Sequence, residues 1–151
     1  MTDNPLHTAR LRDWAFGLAE HISLLSKDPS TKVGAAIFDP KRRVVSTGYN
    51  GFARGVEDSR ERLEERETKY KLTLHAEANA IMFATTPLDD CTLVVTHPCC
   101  ANCAALIIQA GIKHVVWPQP SREFLMRWKD NLALSIDQFI EAGVEVHEVM
   151  R

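Results

Sequence analysis

Residues 93–117 read LVVTHPCCANCAALIIQAGIKHVVW. Residues 93–96 are a short apolar run that predicts a strand, and residues 101–110 carry the composition of a helix closed by Gly111. Residues 114–117 form a second strand-like run. Strand, helix and strand in so short a segment predict parallel neighbours joined by a helical crossover, which makes the fold class α/β.

The flanks extend this pattern. Upstream, Leu11, Trp14, Ala15, Leu18, Ile22 and Leu25 recur at helical spacing. They predict a first helix that ends before the Asp28-Pro29 turn and places this stripe in the core. Residues 33–38 and 44–47 read as two strands joined across Asp39-Pro40-Lys41-Arg42 as a hairpin, after which Gly48-Tyr49-Asn50-Gly51 breaks the strand. Residues 57–67 alternate acidic and basic side chains with almost nothing apolar, as a solvated helix or loop does, or a flap over a pocket. A short helix is expected from His75 through Met82, ended by Pro87. Downstream, Phe124, Leu125, Trp128, Leu132, Ile136 and Phe139 share one face of a last helix that stops at Gly143 and leads into a strand over 144–149.

With 151 residues, 45% hydrophobic and 25% charged, the composition suits one domain over 1–151 and leaves no room for a second. A net charge of −2 supplies no positive field to gather nucleic acid or to coat a membrane surface. Residues 1–11 mix Asp3, His7 and Arg10 with apolar residues, so neither a signal-peptide core nor a spanning segment is read there, and a cytoplasmic location is expected. Cys99, Cys100 and Cys103 crowd into one stretch while Cys91 stands apart. Adjacent cysteines make a poor disulfide framework, and a reducing compartment favours metal binding.

Zinc takes thiolate and imidazole donors, and Cys100-Ala101-Asn102-Cys103 offers two sulfurs at a strand-to-helix turn. The free N–H groups and the dipole at a helix N-terminus help to hold such cysteines as thiolates. His75-Ala76-Glu77, at the start of another helix, brings an imidazole ligand and a carboxylate that does not ligate. Three protein donors, His75, Cys100 and Cys103, leave the fourth tetrahedral position to a water of lowered pKa, whose proton Glu77 can take. A His-x-Glu followed by a Cys-x-x-Cys pair is the donor pattern of zinc deaminases. Cys99 with Cys103 has the wrong spacing for the compact chelate, so Cys99 reads as a small buried neighbour. His97 reads as lining the pocket; were it to close the fourth position, the zinc would be structural.

The chain resembles the deoxycytidylate (dCMP) deaminases, one branch of the cytidine deaminase superfamily, over residues 26–116. The resemblance is carried by Ser26-Lys27-Asp28-Pro29-Ser30-Thr31-Lys32-Val33-Gly34-Ala35, by Gly48-Tyr49-Asn50-Gly51, by His75-Ala76-Glu77-Ala78-Asn79-Ala80-Ile81, and by Cys100-Ala101-Asn102-Cys103-Ala104 with Leu106-Ile107-Ile108-Gln109-Ala110-Gly111-Ile112. It implies a three-layer α/β/α fold around a five-stranded mixed sheet, and hydrolysis of dCMP to dUMP and ammonia, the dUMP supplying thymidylate synthesis. It also implies a homo-oligomer, usually a hexamer. By position, Asn50 holds the sugar and Ala76 lies at the substrate. Gly48, Tyr49, Asn50 and Gly51 belong to an effector site for dCTP or dTTP, with Mg2+ accompanying the effector. The chain departs from the family at Leu25, where many relatives have arginine, at Ala53, where they have proline, and in the order Pro98-Cys99.

Lys32, Arg54 and Arg122, each in or beside an expected loop, are the candidates for holding the nucleotide phosphate. In the expected chemistry Glu77 protonates N3 of cytosine and later the departing exocyclic nitrogen. Rival substrates with the same core are CMP, dCTP and deoxycytidine. A base in tRNA or single-stranded DNA calls for a basic groove and stacking aromatics that the composition does not advertise. The rival outside enzymology is a binding module with a closed structural zinc, made by His75, Cys100, Cys103 and either His97 or Cys99.

Overall fold

Thr8 opens the first helix, its hydroxyl accepting the Leu11 N–H, and α1 (Ala9–Ser23) runs from there to the turn before Asp28. The structure, a computed structural model, describes residues 4–151; Met1, Thr2 and Asp3, part of the stretch read for a leader, lie outside the described residues. β1 (Gly34–Phe38) and β2 (Val44–Tyr49) form the expected antiparallel hairpin, with a bulge between Ile37 and Phe38. β3 (Gly51–Phe52) pairs with β4 (Thr73–Leu74) in a small ribbon, between whose strands lie α2 (Arg60–Glu64) and α3 (Arg66–Leu72). Then follow α4 (Ala76–Met82), β5 (Thr92–Val95), α5 (Ala101–Gln109), β6 (His114–Pro118), α6 (Arg122–Ala142) and β7 (Glu145–Val149).

The main sheet has the order β2-β1-β5-β6-β7. β1 is antiparallel to both its neighbours, whereas β5, β6 and β7 are parallel, as the strand–helix–strand pattern predicts. Alternation along the strands divides the core into two layers. Ala36, Phe38, Val94, Val116 and Val149 meet Ala15, Phe16 and Ala19 of α1 on one face. Ala35, Ile37, Leu93, Val95, Val115 and Trp117 meet residues of α4, α5 and α6 on the other. The result is the three-layer sandwich around a five-stranded mixed sheet that the family resemblance implies. Among the described residues no helix is long and apolar enough to cross a membrane.

Two local expectations need correction, and two others are refined. The stripe on α1 is not uniformly core: Trp14 and Leu25 are exposed, while the buried positions are Ala15, Phe16 and Ala19. Trp14 instead packs its ring on Phe38, 4.8 Å between centroids, at the sheet margin. α4 runs to Met82, as expected, and Pro87 follows in the loop beyond it. Residues 57–67 are solvated and partly helical, as expected, covering α2 and the start of α3, and the next turn contains a buried cation: Lys69 reaches Asp28 at 3.1 Å and Ser30 at 3.3 Å. That pair ties α3 to the loop between α1 and β1.

The second correction concerns Gly48, which belongs to β2 and not to a turn that breaks it. It is fully packed beneath α4: a Cβ there would collide with the backbone oxygen of Ala76 and stand 2.5 Å from the Ala80 nitrogen. Ser46, two residues earlier on the same strand, donates its hydroxyl to the Ala80 carbonyl, so β2 grips α4 by its backbone. Backbone atoms cannot step aside as a flexible side chain can. Gly48→Ala is therefore expected to cost about 1–3 kcal/mol of stability, the range for overpacking a rigid site, and to lower the denaturant midpoint with an unchanged slope. A midpoint equal to that of the parent chain would contradict this close packing.

Candidate metal centre and active site

Two helix starts face each other at one end of the sheet. His75 is the N-cap residue of α4, and Cys100 is the N-cap of α5, its sulfur accepting the Cys103 N–H at 3.4 Å. Neither position is free to drift. The β3–β4 ribbon sets Leu74 opposite Gly51 just before His75, and Asn79 of α4 donates to the Tyr49 carbonyl at 2.8 Å. On the other side, the Asn131 side chain of α6 accepts the Ala101 N–H at 2.9 Å and Gln138 donates to the Ala101 carbonyl at 3.0 Å. Those two α6 residues were not singled out by sequence, because nothing in a helical register announces that a polar side chain caps another helix 30 residues away.

The donors converge. His75 Nδ1 lies 3.4 Å from Cys100 Sγ and 3.4 Å from Cys103 Sγ. Zinc–sulfur bonds of about 2.3 Å and a zinc–nitrogen bond of about 2.0–2.1 Å at tetrahedral angles put nitrogen and sulfur about 3.5 Å apart. One imidazole and two thiols at this separation are a donor set that fits zinc, and the three residues are one of two such groups among the described residues. His97 is not part of it; its Nδ1 meets the Thr96 hydroxyl at 3.1 Å. Cys99 is buried and outside the group, with its thiol pushed well up by burial, as suits an inert neighbour.

Electrostatics distinguish the members. The Cys100 thiol is pushed down to about 4, chiefly by a hydrogen bond with Cys103 and also by His75, while Cys103 is pushed up by the same bond and by burial. Cys100 therefore gives up its proton first. The hydrogen bond to Cys100 raises His75. Glu77, in the first turn of α4, is only 4% exposed, and burial raises its carboxyl above the ordinary carboxylate range. A buried carboxyl with an elevated proton affinity beside a metal-ligating cluster is the arrangement expected of a group that accepts and returns protons near neutral pH.

The other expected residues are placed differently: the Gly48–Gly51 segment adjoins α4, whereas Arg54 stands against Phe83 at the far end of that helix from His75. Ala76 is fully buried at the start of α4. Asn50 is buried just after β2, where its Oδ1 accepts the Val33 N–H at 2.8 Å and its Nδ2 donates to the Thr31 carbonyl at 2.9 Å. It thus clamps the backbone on both sides of Lys32, whose own side chain is exposed. Gly48 lies under α4, Tyr49 is partly exposed at the end of β2, and Gly51 begins β3. Arg54 is exposed with its guanidinium 5.5 Å from the Phe83 ring centre, and Arg122 is exposed at the first turn of α6, after the end of β6.

Comparison with known proteins agrees with this geometry. Residues 10–119 match the cytidine and deoxycytidylate deaminase zinc-binding region. The chain is 51% identical over 136 residues to an uncharacterised deaminase in the luxG 3′ region of Aliivibrio fischeri, covering 88% of this chain and 91% of that one. It is 43% identical over 98 residues to the deoxycytidylate deaminase of Homo sapiens, covering 61% of this chain and 55% of that one. The chain thus spans little more than half the length of the human relative. Among solved structures it is similar to the dCMP deaminase of cyanophage S-TIM5 in complex with dCMP and dUMP, with a TM-score of 0.75 and 26% identity, covering 94% of this chain and 98% of that one.

Proposed function

The chain belongs to the cytidine and deoxycytidylate deaminase family, and from that premise we propose that it hydrolyses dCMP to dUMP and ammonia, with Glu77 as the proton carrier. The observation that carries this reading is the convergence of His75, Cys100 and Cys103 beside the buried carboxyl of Glu77. Zinc is the ion this donor set suits, and when bound it supplies Lewis acidity and lowers the pKa of a water. His75, Cys100 and Cys103 hold it, and the N-termini of α4 and α5 fix their positions.

Glu77 performs the proton transfers. Its carboxylate takes the proton of the attacking water and delivers it to N3 of the cytosine ring, which makes C4 electrophilic. Having given up that proton, the carboxylate takes the remaining one from the oxygen now bonded to C4 and passes it to the exocyclic nitrogen, which departs as ammonia while the C4 carbonyl of uracil forms. Burial favours this role because it raises the carboxyl's affinity for a proton between the two transfers. One side chain serves both steps.

Substrate selection belongs to the rim. Asn50 orders the loop that carries Lys32, and Lys32, Arg54 and Arg122 offer the cations that a 5′-phosphate needs. The Gly48–Gly51 segment, between β2 and the β3–β4 ribbon, is the place for a dCTP or dTTP effector with its Mg2+. Exposed Leu24, Leu25, Met82 and Phe83 leave apolar surface for a second copy to cover, consistent with a homo-oligomer, a hexamer being the favoured form. A single domain in the cytoplasm carries the whole activity in this reading.

The substrate assignment is tested by ammonia release from dCMP, CMP, dCTP and deoxycytidine, each with and without added dCTP or dTTP. dCMP is expected to be turned over with the highest kcat/KM, and deoxycytidine, which offers no phosphate to the rim, more slowly. Faster turnover of deoxycytidine than of dCMP would remove the phosphate-recognition argument while leaving the metal chemistry intact.

A further inference from the structure

The second metal-competent group lies at the opposite end of the sheet, where β6 and β7 begin. Register places His114 of β6 beside Glu145 of β7, and His147 follows two residues later on the same face of β7. This is the α1 face of the sheet, on which Val116 and Val149 are buried further along the same strands. His114 Nδ1 is 3.2 Å from His147 Nε2 and 3.4 Å from a Glu145 oxygen, which is 3.7 Å from His147 Nε2. All three side chains are mostly buried, at 14–21% exposure.

We propose that His114, Glu145 and His147 form a second divalent-metal site, chemically suited to zinc or a similar first-row ion, that fastens the edge strand β7 to β6. Three donor atoms 3.2–3.7 Å apart match the roughly 3.3–3.5 Å expected between nitrogen and oxygen ligands on a tetrahedral zinc. Two imidazoles with one carboxylate are a recurrent zinc donor set that leaves one position for water. The orphan in the cluster points the same way. Glu145 Oε2 is buried without a hydrogen-bond partner, and a carboxylate oxygen in that state is costly unless a cation faces it. An imidazole–imidazole hydrogen bond alone would engage one ring nitrogen of each histidine and leave that oxygen unmet. Position supplies the reason for a clamp: β7 ends the sheet and pairs with β6 alone.

Zinc content by elemental analysis, after equilibration with excess Zn2+ and removal of loose metal, tests the site. The parent chain is expected to hold about two ions, one for each donor set. Glu145→Gln and His147→Asn are each expected to hold about one, with ammonia release from dCMP within about twofold of the parent because neither touches the first centre. One ion per parent chain, or two in both variants, overturns the proposal. Should the variants fold poorly, Co2+ loading of the parent chain decides the matter. The second equivalent, bound without thiolate, is expected to add visible absorption but no sulfur-to-cobalt charge-transfer band. A second equivalent that adds such a band, or one that does not bind, overturns the site.

Discussion

Glu77→Gln is expected to bind zinc at His75, Cys100 and Cys103 as fully as the parent chain and to lose turnover by about 10² or more. The two side chains have nearly the same volume, so the pocket behind α4, where Glu77 is 4% exposed, keeps its packing. What changes is proton affinity. A carboxylate can accept a proton from water and give it up twice in one cycle, whereas an amide nitrogen or oxygen does neither near neutral pH. Because Glu77 is not among the converging donors, metal content and turnover are separable readouts. Near-normal ammonia release by a zinc-replete Glu77→Gln protein would reject the role assigned to this carboxyl. Loss of zinc from the variant would instead make Glu77 a support of the metal shell.

How far the chain could be read before its structure depends on how local each feature is. The strand–helix–strand pattern of residues 93–117 and the helix starts at His75 and Cys100 are written within a few residues of themselves, and the structure places each where expected. Features that depend on distant contact were not legible. Gly48 reads as a turn glycine because its neighbours Tyr49, Asn50 and Gly51 favour turns; its packing against α4, about 30 residues on, leaves no local trace. Trp14 and Phe16 are equally apolar in sequence, but only the sheet's position shows that Phe16 faces the core. His114 and His147 each sit in an ordinary alternating strand, and only the β6–β7 register makes them neighbours. Sequence patterns report which face a residue takes on its own element. They do not report which element lies opposite.

Removal of zinc by dialysis against a chelator is expected to abolish turnover, to leave the fold in place with a lower melting temperature, and to be reversed by added Zn2+. The division follows from where the ligands stand. His75 is exposed at the rim, and the donors join the first turns of α4 and α5; Cys103 is the one donor buried in an apolar layer, and most of both layers is built from strand and helix residues away from the donors. Small zinc modules unfold without their ion because they have no other core. Here burial of Trp117, Phe16, Phe139 and Ile37 supplies one. The ion's contribution is that of a tightly held ligand, about 4 kcal/mol at a free concentration a thousandfold above its dissociation constant, which lowers the melting temperature of the stripped protein without unfolding it at room temperature. Activity would have no such reserve, because an ion held by His75, Cys100 and Cys103 would supply the lowering of a water's pKa from about 16 to near 7 on which the proton transfer proposed for Glu77 depends. Circular dichroism and ammonia release followed on one sample separate the two effects. A metal-free protein that still releases ammonia at the parent rate would refute a chemistry centred on these three ligands, and one that unfolds at room temperature would show the ion to be part of the core.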